Sequence, residues 1–186
     1  MKLASFSSRD FDRGATRVKE AAWLFLSGVF VESWLPGSGW RCWLLRRFGA
    51  TLGERVTIKP RVRVKFPWRL SIKNDVWIGE AVWIDNLGDV SIGHDVCISQ
   101  GAYLCTGSHN WDKETFDLIV RPIEISSHSW IGAMARLAPG TRVGEGAIVG
   151  MGAFVSGELE SYHVLSLRKS QMSTMKLRQM NTFSDE

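Results

Sequence analysis

The chain has 186 residues, 45% of them apolar, and a formal net charge of +4. That length allows one domain with terminal extensions and a buried core. Residues 1–49 carry eight Lys/Arg against four Asp/Glu and residues 161–186 four against two, leaving the body between them at about −2, so the core is not a nucleic-acid binder. Cys42, Cys97 and Cys105 have no metal-ligand spacing and predict reduced thiols in a cytosolic protein.

In chain order, residues 1–15 read as an extended polar lead-in, with no signal peptide: no cleavage site follows an apolar run. Thr16 to Val31 reads as a helix. Its apolar centre, residues 21–31, is too short to cross a bilayer, which takes roughly 20 residues. Residues 33–49 mix Trp34, Trp40 and Trp43 with Arg41, Arg46 and Arg47. Such a mixture suits a membrane interface. Equally, an open repeat array needs a cover over its first unit, and capping is the favoured reading of 1–51.

From Leu52 to Glu160 the sequence repeats every six residues, and fifteen hexads each open with Leu, Ile or Val. The fifth position is small or β-branched, as at Val56, Val76, Ala102 and Ala147, with Trp68 and Leu159 as bulky exceptions. Short strands joined by tight turns fit this period, with positions one and five inward. Three hexads close one triangular coil, and stacked coils pair as parallel strands. The expectation is an all-β solenoid of about five coils, opening at Leu52, Ile72, Ile92, Ile125 and Val143. Position two is often Gly, as at Gly79 and Gly132, for a strained corner.

The register sets three outward ladders: Trp77, Cys97 and Trp130; Trp83, Tyr103 and Arg136; and Asp89, His109 and Arg142. Exposed aromatic ladders on a rigid prism point to self-association, the other reading being a cover formed by the loop or the N-terminal segment. Residues 110–124 leave the solenoid after His109 as a loop carrying Trp111 and Phe116, able to fold over a ligand or to pack on a neighbouring subunit. Residues 161–186 form a third segment, with a short strand and then a short C-terminal helix that turns Leu167, Met172 and Met175 inward.

The sequence holds no Ser-His-Asp spacing, no phosphate loop and no metal-ligand cluster. Among four histidines, His109 stands out, outward-facing at the root of the loop within GSHNW (107–111). A histidine so placed can act as a general base near neutral pH. Asp89, one coil beneath it, either orients the imidazole or balances Arg142 and Arg69 in a surface stack. Asp85 and Asn86 occupy the next corner and are candidate substrate-binding residues.

The hexad array, the His-bearing loop and several words resemble the hexapeptide-repeat acyltransferases, and more narrowly the WcaF-type colanic acid biosynthesis acetyltransferases. The words are SWLPGS (33–38), VWIGEAVWIDNLGDVSIGHDVCISQGAYLCTGSHNW (76–111) and WIGAMARLAPGTRVGEGAIVG (130–150). The resemblance implies a left-handed parallel β-helix assembled as a homotrimer, with active sites in clefts between prisms. It implies acetyl transfer from acetyl-CoA to a sugar hydroxyl in cytoplasmic assembly of a surface polysaccharide, with His109 as base. It places CoA along the C-terminal coils, against Gly132, Ala133, Met151 and Ser156. Relatives usually follow the last coil with a Pro-Pro turn and a Gly-Asn-Pro-Ala word. Here those positions read Glu160-Ser161 and Leu167-Arg168-Lys169-Ser170. Arg168 and Lys169 are the expected CoA-phosphate contacts in their place. A non-catalytic scaffold, or a membrane-associated assembly factor, is the alternative that this departure leaves open.

Overall fold

Each six-residue unit forms a strand of two or three residues and a tight turn, and the turns stack. This is seen in a computed structural model that describes residues 3–8, 11–168 and 171–176. The strands gather into three faces of a triangular prism. Face one runs Thr51–Leu52, Leu70–Ile72, Val90–Ile92, Ile123–Ile125, Arg142–Val143 and Glu158–Leu159. Face two begins at Thr57–Ile58 and face three at Arg63–Val64. All pairing between coils is parallel, with Leu52, Ile72, Ile92, Ile125, Val143 and Leu159 in one inward register. The inward Ile, Leu and Val side chains are buried as one continuous cluster. Each such side chain contributes about 1.5–3 kcal/mol.

Two of the expected ladders are present. Trp77, Cys97 and Trp130 are successive partners on face two, and Trp83, Tyr103 and Arg136 on face three. The third is not. Arg142 pairs with Glu124, and His109 leaves the coil altogether.

The coil count rises from about five to six. Leu159, out of place as a fifth-position residue, is the opening residue of a sixth coil and pairs with Val143. The solenoid therefore continues past Glu160 on face two, where strand His163–Arg168 pairs with Ile148–Val149. Gln171–Lys176 then pairs antiparallel with that strand, where a helix was expected. The open edge of face two explains the difference: its unpaired backbone groups template a further strand.

The position-two glycines have a different cause from the one expected. A Cβ on Gly79 would lie 2.5 Å from Gln100 N, and one on Gly132 2.7 Å from Met151 N. Close approach of the next coil's backbone excludes a side chain there. The left-handed backbone sits at position four instead, for example Asp75 (φ 60°), Ala81 (56°) and Met134 (59°).

The N-terminal segment caps the prism. Helix α1 (Arg17–Leu26) starts at Thr16, whose hydroxyl accepts from Lys19 N, and runs into a π-turn at Ser27–Val31. Trp23 is fully buried, and its Nε1 donates to Val64 O at 2.9 Å. Helix α2 (Gly39–Arg47) adds Cys42, Leu44 and Leu45 to the core of the first coil. Between the helices, the buried Arg41 guanidinium donates to the carbonyls of Val31 (3.1 Å), Ser33 (2.8 Å), Leu35 (2.7 Å) and Gly37. It thereby holds the loop spelled SWLPGS. Trp68, the other bulky exception, lies in a 3₁₀ turn, stacks on Phe66 and donates from Nε1 to Arg13 O at 2.8 Å. Arg69 Nη2 donates to Asp12 O at 2.6 Å. These contacts fasten the lead-in to the prism.

Candidate active site

The site starts at Thr106, where the third coil is interrupted by the excursion. Its hydroxyl donates to Asp85 O (3.1 Å) and accepts from Gly88 N (2.9 Å), while its carbonyl accepts from Arg121 N (2.9 Å). Thr106 is fully buried, so it pins both the departing and the returning strand. The excursion is an antiparallel arm of Gly107–His109 and Leu118–Val120, with His109 opposite Leu118. It begins before His109, and His109 belongs to it.

Three contacts fix the His109 ring. Nδ1 lies 2.8 Å from the carbonyl oxygen of Phe116. A carbonyl only accepts, so Nδ1 carries the hydrogen, and in the neutral ring Nε2 holds a free lone pair. Phe116 has left-handed backbone (φ 51°), which costs about 1–3 kcal/mol. Its ring lies flat on the imidazole, with centroids 4.2 Å apart and planes 2° from parallel. Phe6 meets the same imidazole edge-on at 5.2 Å.

Asp89 does not orient this ring. It is exposed, and its carbonyl accepts from Ile123 N where the arm rejoins the coil. The surface stack is also absent: Arg142 faces Glu124 (3.6 Å), and Arg69 reaches Asp12 O. Asn86 is fully buried, accepting from Phe66 N (3.0 Å) and donating to the carbonyls of Phe66 (2.7 Å) and Arg69 (3.2 Å). Both its N–H donors are engaged within the corner, so it holds the fold and has none for a sugar.

Asp85 sits at the root of the arm in a cluster the sequence reading missed. Its Oδ2 accepts from the Tyr103 hydroxyl at 3.0 Å. Its Oδ1 has no hydrogen bond but faces the Lys65 ammonium at 2.9 Å. Burial, then Cys105 and the Asp85 carboxylate, push the Tyr103 phenol above its ordinary range, so it stays a donor. The available signal was the twenty-residue spacing of Lys65, Asp85 and Cys105, which stacks them at one corner.

The expected CoA contacts fall into three groups. Gly132 is buried, and its N–H donates to Val149 O at 2.7 Å, so it serves coil stacking and offers no backbone to a ligand. Ala133 and Met151 lie at one corner beside face three, and Ser156 at the next, in the column above Cys105. Met151 and Ser156 are exposed. The backbone of Arg168 ends the strand His163–Arg168, and Lys169 lies outside the described residues. Trp111 is 75% exposed at the tip of the arm.

No protein-family model matches the sequence. The chain is 36% identical over 150 residues to the Escherichia coli protein named "Putative colanic acid biosynthesis acetyltransferase WcaF", a match covering 80% of this chain and 82% of that one. Its fold is similar to that of a hexapeptide-repeat acetyltransferase from Vibrio cholerae solved with acetyl-coenzyme A (TM-score 0.77, 20% identity, 96% of this chain and 100% of that one). It is also similar to a galactoside acetyltransferase solved with coenzyme A (TM-score 0.72, 18% identity, 91% and 88%). The prism is thus the left-handed parallel β-helix of these enzymes, and the chain belongs to the WcaF-type colanic acid biosynthesis acetyltransferases.

Proposed function

We propose that this protein transfers an acetyl group from acetyl-CoA to a sugar hydroxyl during assembly of a surface polysaccharide, with His109 as general base. The observation that carries this reading is the bond from His109 Nδ1 to the Phe116 carbonyl, which leaves Nε2 free to accept a proton. The sugar oxygen attacks the thioester carbon while Nε2 takes its hydrogen. The tetrahedral intermediate collapses, the C–S bond breaks, and the imidazolium returns the proton to the departing sulfur. An O-acetyl sugar and CoA thiol result. Base assistance of this kind contributes on the order of 10²–10⁴ in rate.

The acceptor side is built from the arm and its root, with Asp85 and Trp111 near the sugar. The donor side lies along the last coils, with Ala133, Met151 and Ser156 beside the pantetheine. The acetyl-CoA complex of the structural neighbour supports that donor. Trp77, Trp83 and Trp130 each leave 40% or more of their surface exposed. Burying these ladders between prisms supports a homotrimer, its clefts bringing donor and acceptor together. Acetyl-CoA use fits a cytoplasmic site.

Calorimetric titration of acetyl-CoA tests the donor half. Micromolar binding at one site per subunit is expected. No binding into the millimolar range would favour a non-catalytic scaffold, the reading opened by the altered word at 167–170.

A further inference from the structure

Helix α1 and its π-turn are apolar around their whole circumference from Ala21 to Val31, apart from Ser27 and Gly28, yet only one side packs on the prism. Trp23, Ser27 and Val31 face inward. Leu24, Phe25, Val29 and Phe30 face outward, Phe25 with 70% of its surface exposed. The face continues across Trp34 (72%) and Trp43 (63%). Between them lies an apolar groove of about 480 Å³, lined by Leu26, Phe30, Trp40, Trp43 and Phe48, with Arg47 at its rim. Contiguous exposed apolar surface of this kind marks a docking site.

Charge identifies the occupant. Arg47 lines the groove, and Arg46 precedes it on α2 with its guanidinium on the carbonyls of Leu52 and Gly53; neither is in an ion pair among the described residues. The lone acid between Ala21 and Gly49, Glu32, faces Arg63 at 3.2 Å. A second copy of this chain would set these like charges against each other. An anionic lipid surface would neutralise them while taking up the apolar side chains, Trp at the headgroup level and Arg on the phosphates. No helix among the described residues is long and apolar enough to cross a membrane, so the contact is with one leaflet.

We infer that the N-terminal cap is a peripheral membrane-docking surface, seating the solenoid on an anionic bilayer through Phe25, Val29, Trp34 and Trp43. The inference does not depend on the proposed reaction. The same helices cap the first coil with their inner faces, so the two roles use opposite sides.

Co-sedimentation of the full chain with vesicles tests this, using phosphatidylcholine alone and phosphatidylcholine with phosphatidylglycerol. Binding to the anionic vesicles is expected. It should fall roughly tenfold or more in Phe25→Ser/Trp43→Ser, and markedly in Arg47→Glu. The substituted side chains are exposed, so circular dichroism and oligomeric mass should stay those of the parent. A wild-type protein that remains in the supernatant with both vesicles overturns the inference, as does a double variant that sediments like wild type. A changed oligomeric mass in the double variant assigns the face to a second copy and also overturns it.

Discussion

The ring of Phe6 stands edge-on to the imidazole of His109, 5.2 Å between centroids, although the two residues come from opposite halves of the sequence. Phe6 also approaches Phe116 at 6.5 Å, so the three rings form one cluster. Trp68 and Arg69, gripping the carbonyls of Arg13 and Asp12, lead the N-terminal segment along the prism toward the arm. Phe6 is therefore a positioning residue. Phe6→Ala should lower acceptor-dependent kcat by roughly tenfold, with KM for acetyl-CoA unchanged. Phe6→Tyr, which keeps the edge contact, should recover most of the rate. Steady-state kinetics of the two variants decide it, and equal losses in both would sink the positioning role.

Stacking makes opposite demands on two glycines. In Gly132→Ala the new methyl would press on Met151 N and Val149 O, both 2.7 Å away, and backbone cannot yield as a side chain can. About 1–3 kcal/mol of stability should be lost. Gly28→Ala meets nothing within 4 Å, at a backbone conformation any residue adopts, and should be neutral or stabilising by about 0.5–1 kcal/mol. Denaturant melts of both variants provide the comparison.

Arg41 is the most heavily hydrogen-bonded buried side chain of the cap, and its partners are carbonyl oxygens rather than carboxylates. Methionine would fill much of the space but leave several carbonyls unpaired. Each unsatisfied buried group costs about 1–3 kcal/mol, so Arg41→Met should destabilise by about 3 kcal/mol or more. Lysine keeps the charge but cannot fork to four carbonyls and should rescue little. Thermal unfolding measures both.

The Arg13 guanidinium holds the Glu20 carboxyl below the usual carboxylate range through their hydrogen-bonded pair. A folded-state pKa below the unfolded one stabilises above the unfolded value, about 4.3, and that stabilisation fades as pH falls through the folded value. The melting-temperature gap between wild type and Glu20→Gln should therefore be constant at neutral pH and close under acid. A gap that widened on acidification would contradict the assignment.

Sequence periodicity revealed the prism because a solenoid writes its core locally: each inward residue is fixed by its place in its own hexad. The sixth coil was hidden where the unit Val155–Glu158 shortens to four residues, throwing Leu159 out of phase. The cap's existence was legible from α1 and the Trp/Arg stretch. Its attachment through Trp23 to Val64 depends on contacts between distant segments. The place of His109 at the root of the excursion was legible, whereas the group that orients its ring was not. The partner proved to be the backbone carbonyl of Phe116, set by a left-handed residue that no spacing rule marks. Asn86 failed as a ligand for the same reason: an amide at a corner reads alike whether it faces solvent or the backbone beneath it.

Acceptor-dependent release of CoA thiol from acetyl-CoA, measured for wild type and His109→Ala, tests whether Nε2 of His109 takes the sugar's proton. With a sugar acceptor that supports turnover, the variant should lose on the order of 10²–10⁴ in kcat. Its affinity for acetyl-CoA and its melting temperature should stay close to wild type. A variant that releases thiol at the wild-type rate would rule out His109 as the base.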